Sequence, residues 1–405
     1  MNSIMNPAVG AGVSIEGICS SLSADGYSVR FWGFSAIDKY LGLPALPFLW
    51  VQTNADIGVL ARCIENLRFP GAEIADGAVD IPAGTCYFRC LDSDEVEGKD
   101  RGFPLLSFYS DWQTLRFQDP LDLYPLLREL RNNKLNFEEL SDLVCYNITD
   151  RYRLIMEVSL ILARYDFETA IARYICAFAQ APESGFPGLL PGPEAQRAFL
   201  SCLMVSPRPD RGLEFLKRSG VLYELWPELA SLDEVDHSKE FHPEGNVWNH
   251  TLETFQHRKA AGDGAYDLRL SLGLLLHDTG KPISAAHGSR RFDGHAELGA
   301  RAAARFLERL EFDPTFINNI FYLVKNHMLP AALKRLPLTK TAEIMASPLF
   351  PTLMELYRCD ESSSFKGLGG YYENSAAYQT YLRNMRNPYR SADGKKITRQ
   401  IPLCR

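Results

Sequence analysis

The chain changes its hydrophobic rhythm near residue 120. Over residues 1–130, short runs rich in β-branched and aromatic side chains (Tyr27–Phe31, Phe48–Gln52 and Thr85–Cys90) alternate with a helical pattern at Ile57–Leu67. From about Pro120 onward, apolar residues recur at i, i+3 and i+4. That spacing predicts helices over Leu121–Leu130, Asp150–Arg164, Phe167–Gln180 and Glu194–Val205. A Gly/Pro cluster at Pro182–Pro193 and a polar stretch at Ser231–Gly245 interrupt the pattern. It resumes at Val247–Arg258, Leu268–Leu276, Ala296–Leu310 and Thr315–His327, and in a helix containing Leu353, Leu356 and Tyr357. Lys366–Arg405, rich in Gly, Tyr, Asn and Arg, has weak periodicity, which predicts a partly irregular tail with one helix at Ala376–Met385. The fold class expected is therefore α+β. A small mixed α/β domain (1–130) precedes a helical neck (131–229), an all-α domain (230–375) and a tail (376–405).

A length of 405 residues, more than one core usually organises, agrees with this division. The net charge of −7 argues against indiscriminate attraction to nucleic acid, so no DNA partner is expected, while a local basic patch could still hold RNA. The most apolar helix, Leu268–Leu276, contains Arg269 and is too short to span a bilayer, so no membrane role is implied. The first residues lack a basic stretch followed by an apolar run, the mark of a secretory signal. Nine scattered cysteines, with Cys86 and Cys90 the closest pair and no second pair at zinc-site spacing, read as thiols of a reduced, cytoplasmic protein. Oligomeric state is left open.

The candidate chemistry lies in residues 250–360. His250 falls on the helix Val247–Arg258. His277 and Asp278 end the apolar helix Leu268–Leu276, with Gly280 and Lys281 directly behind. His295 opens the next helix, His327 closes the one after it, and Asp360 ends the last. A lone histidine is more often a surface or satisfied core residue than a ligand. Here five of six imidazoles and carboxylates stand at helix ends, where side chains from separate helices converge in a bundle. Such a mixed donor set suits divalent metals.

These segments, Phe241-His242-Pro243-Glu244 through His250-Thr251, Leu276-His277-Asp278-Thr279-Gly280-Lys281, Phe292-Asp293-Gly294-His295, Asn326-His327 and Cys359-Asp360, resemble the HD domain of the bacterial CCA-adding tRNA nucleotidyltransferase and poly(A) polymerase family. The resemblance implies a metal-dependent phosphohydrolase centre. His250, His277, Asp278 and Asp360 would hold one ion, and His295 and His327 would complete a second, with Asp278 bridging. The metal could be iron, manganese, nickel, cobalt or magnesium. Lys281 would neutralise charge on the phosphoryl group. His242 and Glu244 would reach the site as proton donor or substrate contacts, with Arg291 and Lys325 as further substrate contacts. His237, His257 and His287 match no family position and are expected to be solvent-exposed. The substrates implied are nucleotide or RNA phosphate esters, tRNA among them.

The same family begins with a nucleotidyltransferase domain that holds two magnesium ions on an Asp-x-Asp strand. In Val29–Gly42 only Gly33 of the family's Gly-Gly turn remains, and Ile37 stands at its arginine. Phe48 and Trp50 occupy the two carboxylate positions, and Phe103–Phe108 and Asp119-Pro120 lack the family's arginines and asparagine. Asp56, Asp92 and Asp94 are the remaining carboxylate candidates, the last two in a charged stretch that reads as a solvated loop. The expectation is a retained fold with transferase chemistry lost. The alternatives are a working CCA- or poly(A)-adding enzyme, and a non-catalytic RNA binder using aromatics such as Trp32 and Trp50.

Overall fold

A computed structural model describes residues 14–70, 75–82, 84–91, 109–118, 151–165, 190–236, 245–287, 292–364, 367–387 and 389–396. The fold is α+β, and the chain divides into two compact units. One comprises Met1–Val221 with Ala260–Ala265, the other Leu222–Lys259 with Tyr266–Arg405. The expected helices at 121–130 and 167–180, and the segments 92–94, 103–108 and 119–120, lie outside the described residues.

The first unit is built on a six-stranded sheet among the described residues: β1 (Val29–Trp32), β2 (Phe48–Thr53), β3 (Gly77–Ile81), β4 (Gly84–Cys90), β5 (Tyr109–Asp111) and β6 (Phe117–Gln118). The spatial order is β3-β4-β2-β1-β5-β6, with β2 parallel to β4 and every other pair antiparallel. The helices α1 (Ile15–Ala24), α2 (Phe34–Leu41) and α3 (Ile57–Cys63) accompany it. Alternation along the strands divides their side chains between two faces. Val51, Cys86 and Phe88 join Ile18, Leu22 and Leu60 from α1 and α3 in one apolar core. On the opposite face Phe48 and Trp50 stack on Tyr87, with ring centroids 5.9 and 6.1 Å apart. Gly33 starts α2 at a φ of 58°, a backbone that favours glycine, which explains why this one residue of the turn is a glycine still.

The neck helices α4 (Arg151–Arg164), α5 (Pro193–Met204) and α6 (Pro209–Arg218) belong to the same unit. Buried Arg164 at the end of α4 joins them to the sheet region. Its Nε donates to Asp38 Oδ1 of α2 at 2.6 Å, and the Tyr165 hydroxyl donates to the same oxygen at 2.9 Å. Arg164 also donates to the carbonyl of Pro44.

The second unit is helical: α7 (Val221–Leu225, at the junction), α8 (Pro227–Ala230), α9 (Val247–Thr254), α10 (Leu268–Leu276), α11 (Gly280–Ala286), α12 (His295–Arg309), α13 (Pro314–Asn326), α14 (Leu338–Met345), α15 (Phe350–Ser362) and α16 (Gly369–Arg386). The tail departs from the expected single short helix, since α16 runs for 18 residues. Its rhythm is masked because aromatics do the packing: Tyr378 lies 4.5 Å from Phe350 between ring centroids, and Gly370 lets the first turn approach Tyr357 and Glu361 on α15. Among the described residues no helix is long and apolar enough to cross a membrane.

Removing one partner of a buried ion pair strands the other charge, which costs about 3–5 kcal/mol. Arg164→Ala should therefore lower the urea midpoint of the first unit sharply, whereas Asp38→Leu with Arg164→Met should cost clearly less. A double variant as unstable as the single one would show that packing, not charge, dominates there.

Candidate metal centre

Six side chains from five helical segments meet in the second unit. His250 lies within α9, His277 caps α10, Asp278 follows it, His295 opens α12, His327 caps α13, and Asp360 stands near the end of α15. They form two adjoining clusters, His250–His277–Asp360 and Asp278–His295–His327, each with ligand atoms within 4.8 Å of one another. Asp278 sits between them. Its Oδ2 is 3.2 Å from His277 Nε2 and 4.0 Å from His250 Nε2, while Oδ1 is 3.7 Å from His295 Nε2 and 3.9 Å from His327 Nε2.

The outer nitrogens explain which way each imidazole faces. Nδ1 of His277, His295 and His327 contacts the carbonyl three residues earlier, on Leu274, Phe292 and Val324, at 2.8, 2.9 and 2.7 Å. A carbonyl only accepts, so the ring proton is assigned to Nδ1 and the Nε2 lone pair turns inward. His250 reaches the same state through Ser363, whose hydroxyl lies 3.3 Å from Nδ1 and donates to the Asp360 carbonyl at 2.7 Å. These outer partners are the kind that fix the orientation of metal-bound histidines.

Lone pairs consequently face lone pairs. Nε2 of His295 and of His327 are 3.1 Å apart, His250 Nε2 is 3.0 Å from Asp360 Oδ1, and buried His277 Nε2 makes no hydrogen bond. Burial pushes the His327 imidazole down to about 4, with neighbouring His277 adding to the effect, and burial also lowers His295, so both are neutral at pH 7. Burial alone would raise both carboxyls. Both are nevertheless held well below the carboxylate range, Asp278 by its neighbours His277 and Lys281, and Asp360 by its neighbours His250 and His277. Four imidazoles whose Nε2 atoms turn inward and two carboxylates are a donor set that fits divalent cations.

Two small residues set the width of this arrangement. A Cβ on Gly280 would lie 1.9 Å from the His295 carbonyl oxygen and 2.5 Å from Gly299 N, so α11 rests directly on the backbone of α12. That contact holds the His277-Asp278 corner against His295. The Thr279 hydroxyl donates to the Leu276 carbonyl at 2.7 Å and secures the same corner.

Lys281 lies beside the six residues, its ammonium 2.6 Å from Asp278 Oδ2. Lys325 lies on the exposed face of α13, 3.3 Å from Glu297, rather than among the six residues. His242, Glu244, Arg291 and His237 lie outside the described residues. His287 is exposed as expected, but His257, at the end of a 3-10 turn over Phe255–His257, is half-buried. Ser363 and the carbonyl of Phe292 were not singled out by sequence reasoning. Ser363 had a signal in its position one helical turn after Asp360; the carbonyl had none.

In the first unit, Asp56 is spent as the cap of α3, accepting from Val59 N at 2.8 Å. Asp38 is held by Arg164, Asp76 accepts from Cys90 N, Asp80 is held by Arg68 and Thr85, and Asp111 caps a turn at Thr114.

Residues 247–347 match the family model of the HD domain. A CC-adding tRNA nucleotidyltransferase of Thermus thermophilus is 33% identical over 200 residues, 46% of this chain and 45% of that protein. A multifunctional CCA protein of Halorhodospira halophila is 38% identical over 108 residues, 27% of this chain and 25% of the relative. The matched stretches thus span less than half of these relatives. The Bacillus stearothermophilus CCA-adding enzyme, solved in complex with CTP, superposes with a TM-score of 0.51 over 91% of this chain and 82% of that one, at 13% identity, a likeness of fold. The chain is similar to CCA-adding tRNA nucleotidyltransferases and carries an HD domain, as its motifs suggested.

Because Gly280 has no room for a methyl group, Gly280→Ala should separate α11 from α12, lower the melting temperature and reduce bound divalent metal. Metal content and thermal unfolding of the purified variant check this; parental values in both would mean that the helix contact does not set the site.

Proposed function

We propose that the HD domain is a two-metal phosphohydrolase acting on nucleotide or RNA phosphate esters, tRNA ends among them. One ion would be held by His250, His277, Asp278 and Asp360, and the second by His295, His327 and the shared Asp278. The observation that carries this reading is the convergence of inward lone pairs on both sides of Asp278, which a cation would relieve on each side. Divalent ions held there supply Lewis acidity toward phosphate oxygens and a nucleophile at neutral pH. The protein's own groups do the rest. Lys281 keeps Asp278 ionised and is the ammonium placed to meet charge developing on the phosphoryl oxygens. His295 and His327 stay neutral, and the outer hydrogen bonds of the imidazoles keep them oriented. A cytoplasmic setting fits the six described cysteines, all of them free thiols.

The second reading is nucleotide addition to tRNA. The names of the relatives favour it over hydrolysis, since each describes a CC-adding or CCA enzyme, and the fold likeness extends over 91% of the chain. Against it stand Phe48 and Trp50, which stack on Tyr87 and which the family resemblance aligns with its catalytic carboxylates, and the engagement of Asp56 in a helix cap and of Asp38 in an ion pair.

Two assays on the intact protein separate the readings. Hydrolysis of 2′,3′-cyclic AMP with added manganese should be readily measured, and His277→Ala with Asp278→Ala should lose bound metal and at least roughly a hundredfold in rate. Labelled CTP and ATP should not be incorporated into tRNA. Incorporation with no hydrolysis would reverse the assignment.

A further inference from the structure

Phe292 lies just ahead of His295 and has a φ of 54°, the left-handed region that an aromatic residue enters at a cost and that Asn or Gly enters readily. Two features of the metal centre depend on this half-buried residue. Its carbonyl accepts from both the backbone N–H and Nδ1 of His295, at 3.1 and 2.9 Å. His295 follows by three residues, and the turn at Phe292 leads the chain into α12 with that carbonyl facing the imidazole. In addition, the Lys281 ammonium sits over the Phe292 ring, 5.9 Å from its centroid, while reaching Asp278 Oδ2 at 2.6 Å.

We propose that Phe292 is a positioning residue of the metal centre that works through two different parts of itself. The main chain turns the His295 lone pair inward, toward His327. The ring holds the Lys281 ammonium over the shared carboxylate, limiting a flexible side chain to the position where it can meet a phosphate oxygen. A residue with only the backbone task would be better served by Asn or Gly, and one with only the ring's task would not need a left-handed backbone. The two tasks together account for an aromatic side chain at this φ. The kinetic part of this assignment rests on the proposed hydrolysis; the metal-binding part does not.

Phe292→Asn keeps the left-handed backbone and deletes the ring. Its manganese affinity should equal that of the parent protein, while acetic anhydride, read by mass spectrometry, should label Lys281 faster. Its kcat on 2′,3′-cyclic AMP should fall roughly five- to thirtyfold with KM little changed, the range of a partly desolvated cation–π contact. Phe292→Tyr should restore both. Phe292→Val resists the left-handed region and should weaken manganese binding, whereas Phe292→Gly should bind manganese at least as well as the parent. Parental Lys281 labelling in the Asn variant would overturn the ring's role, and weaker manganese binding by the Gly variant would overturn the carbonyl's. If no protein hydrolyses the cyclic nucleotide while the labelling and manganese results hold, the proposed hydrolysis fails and the positioning role stands.

Discussion

The second unit is arranged around an electrostatic requirement. Buried Asp278 stays ionised with four imidazole nitrogens within 4.0 Å of its oxygens. The described carbonyls and Ser363 take up the Nδ1 protons, so the inner surface is made of acceptors. A group this poorly matched to itself persists in a core only if the surrounding packing fixes it. Apolar α10 supplies that packing, together with the backbone contact between Gly280 and α12.

Much of this was legible in the sequence because it is local. Imidazoles and carboxylates at helix ends can be read from periodicity and breakers, and the bounds of the helix at Leu268–Leu276 match its pattern. What was not legible depends on where backbone atoms point. Neither the i−3 carbonyl partners nor the turn at Phe292 leave a mark in residue type. The tail helix was underestimated because its contacts are made by tyrosines and by Gly370, which hydrophobic periodicity weighs poorly. The direction of Lys325 is likewise not a matter of residue type, since an exposed helix face and Glu297 determine it.

The sheet of the first unit is braced by aromatic stacking on one face and by one buried ion pair to the neck. Phe48 and Trp50 stack on Tyr87, an aromatic arrangement that needs no ions to be stable. Asp38 pairs with Arg164 and so anchors the neck helix α4 to the sheet region.

The span of chain between the ligands has a thermodynamic consequence. His250 and Asp360, 3.0 Å apart in space, are separated by 110 residues. Any cation shared by them is bound by the folded domain and not by the open chain, so its binding free energy adds to folding stability as RT ln(1 + [M]/Kd). The domain's resistance to unfolding is then set partly by the free metal concentration around it, and its degradation rate in turn becomes a readout of metal supply.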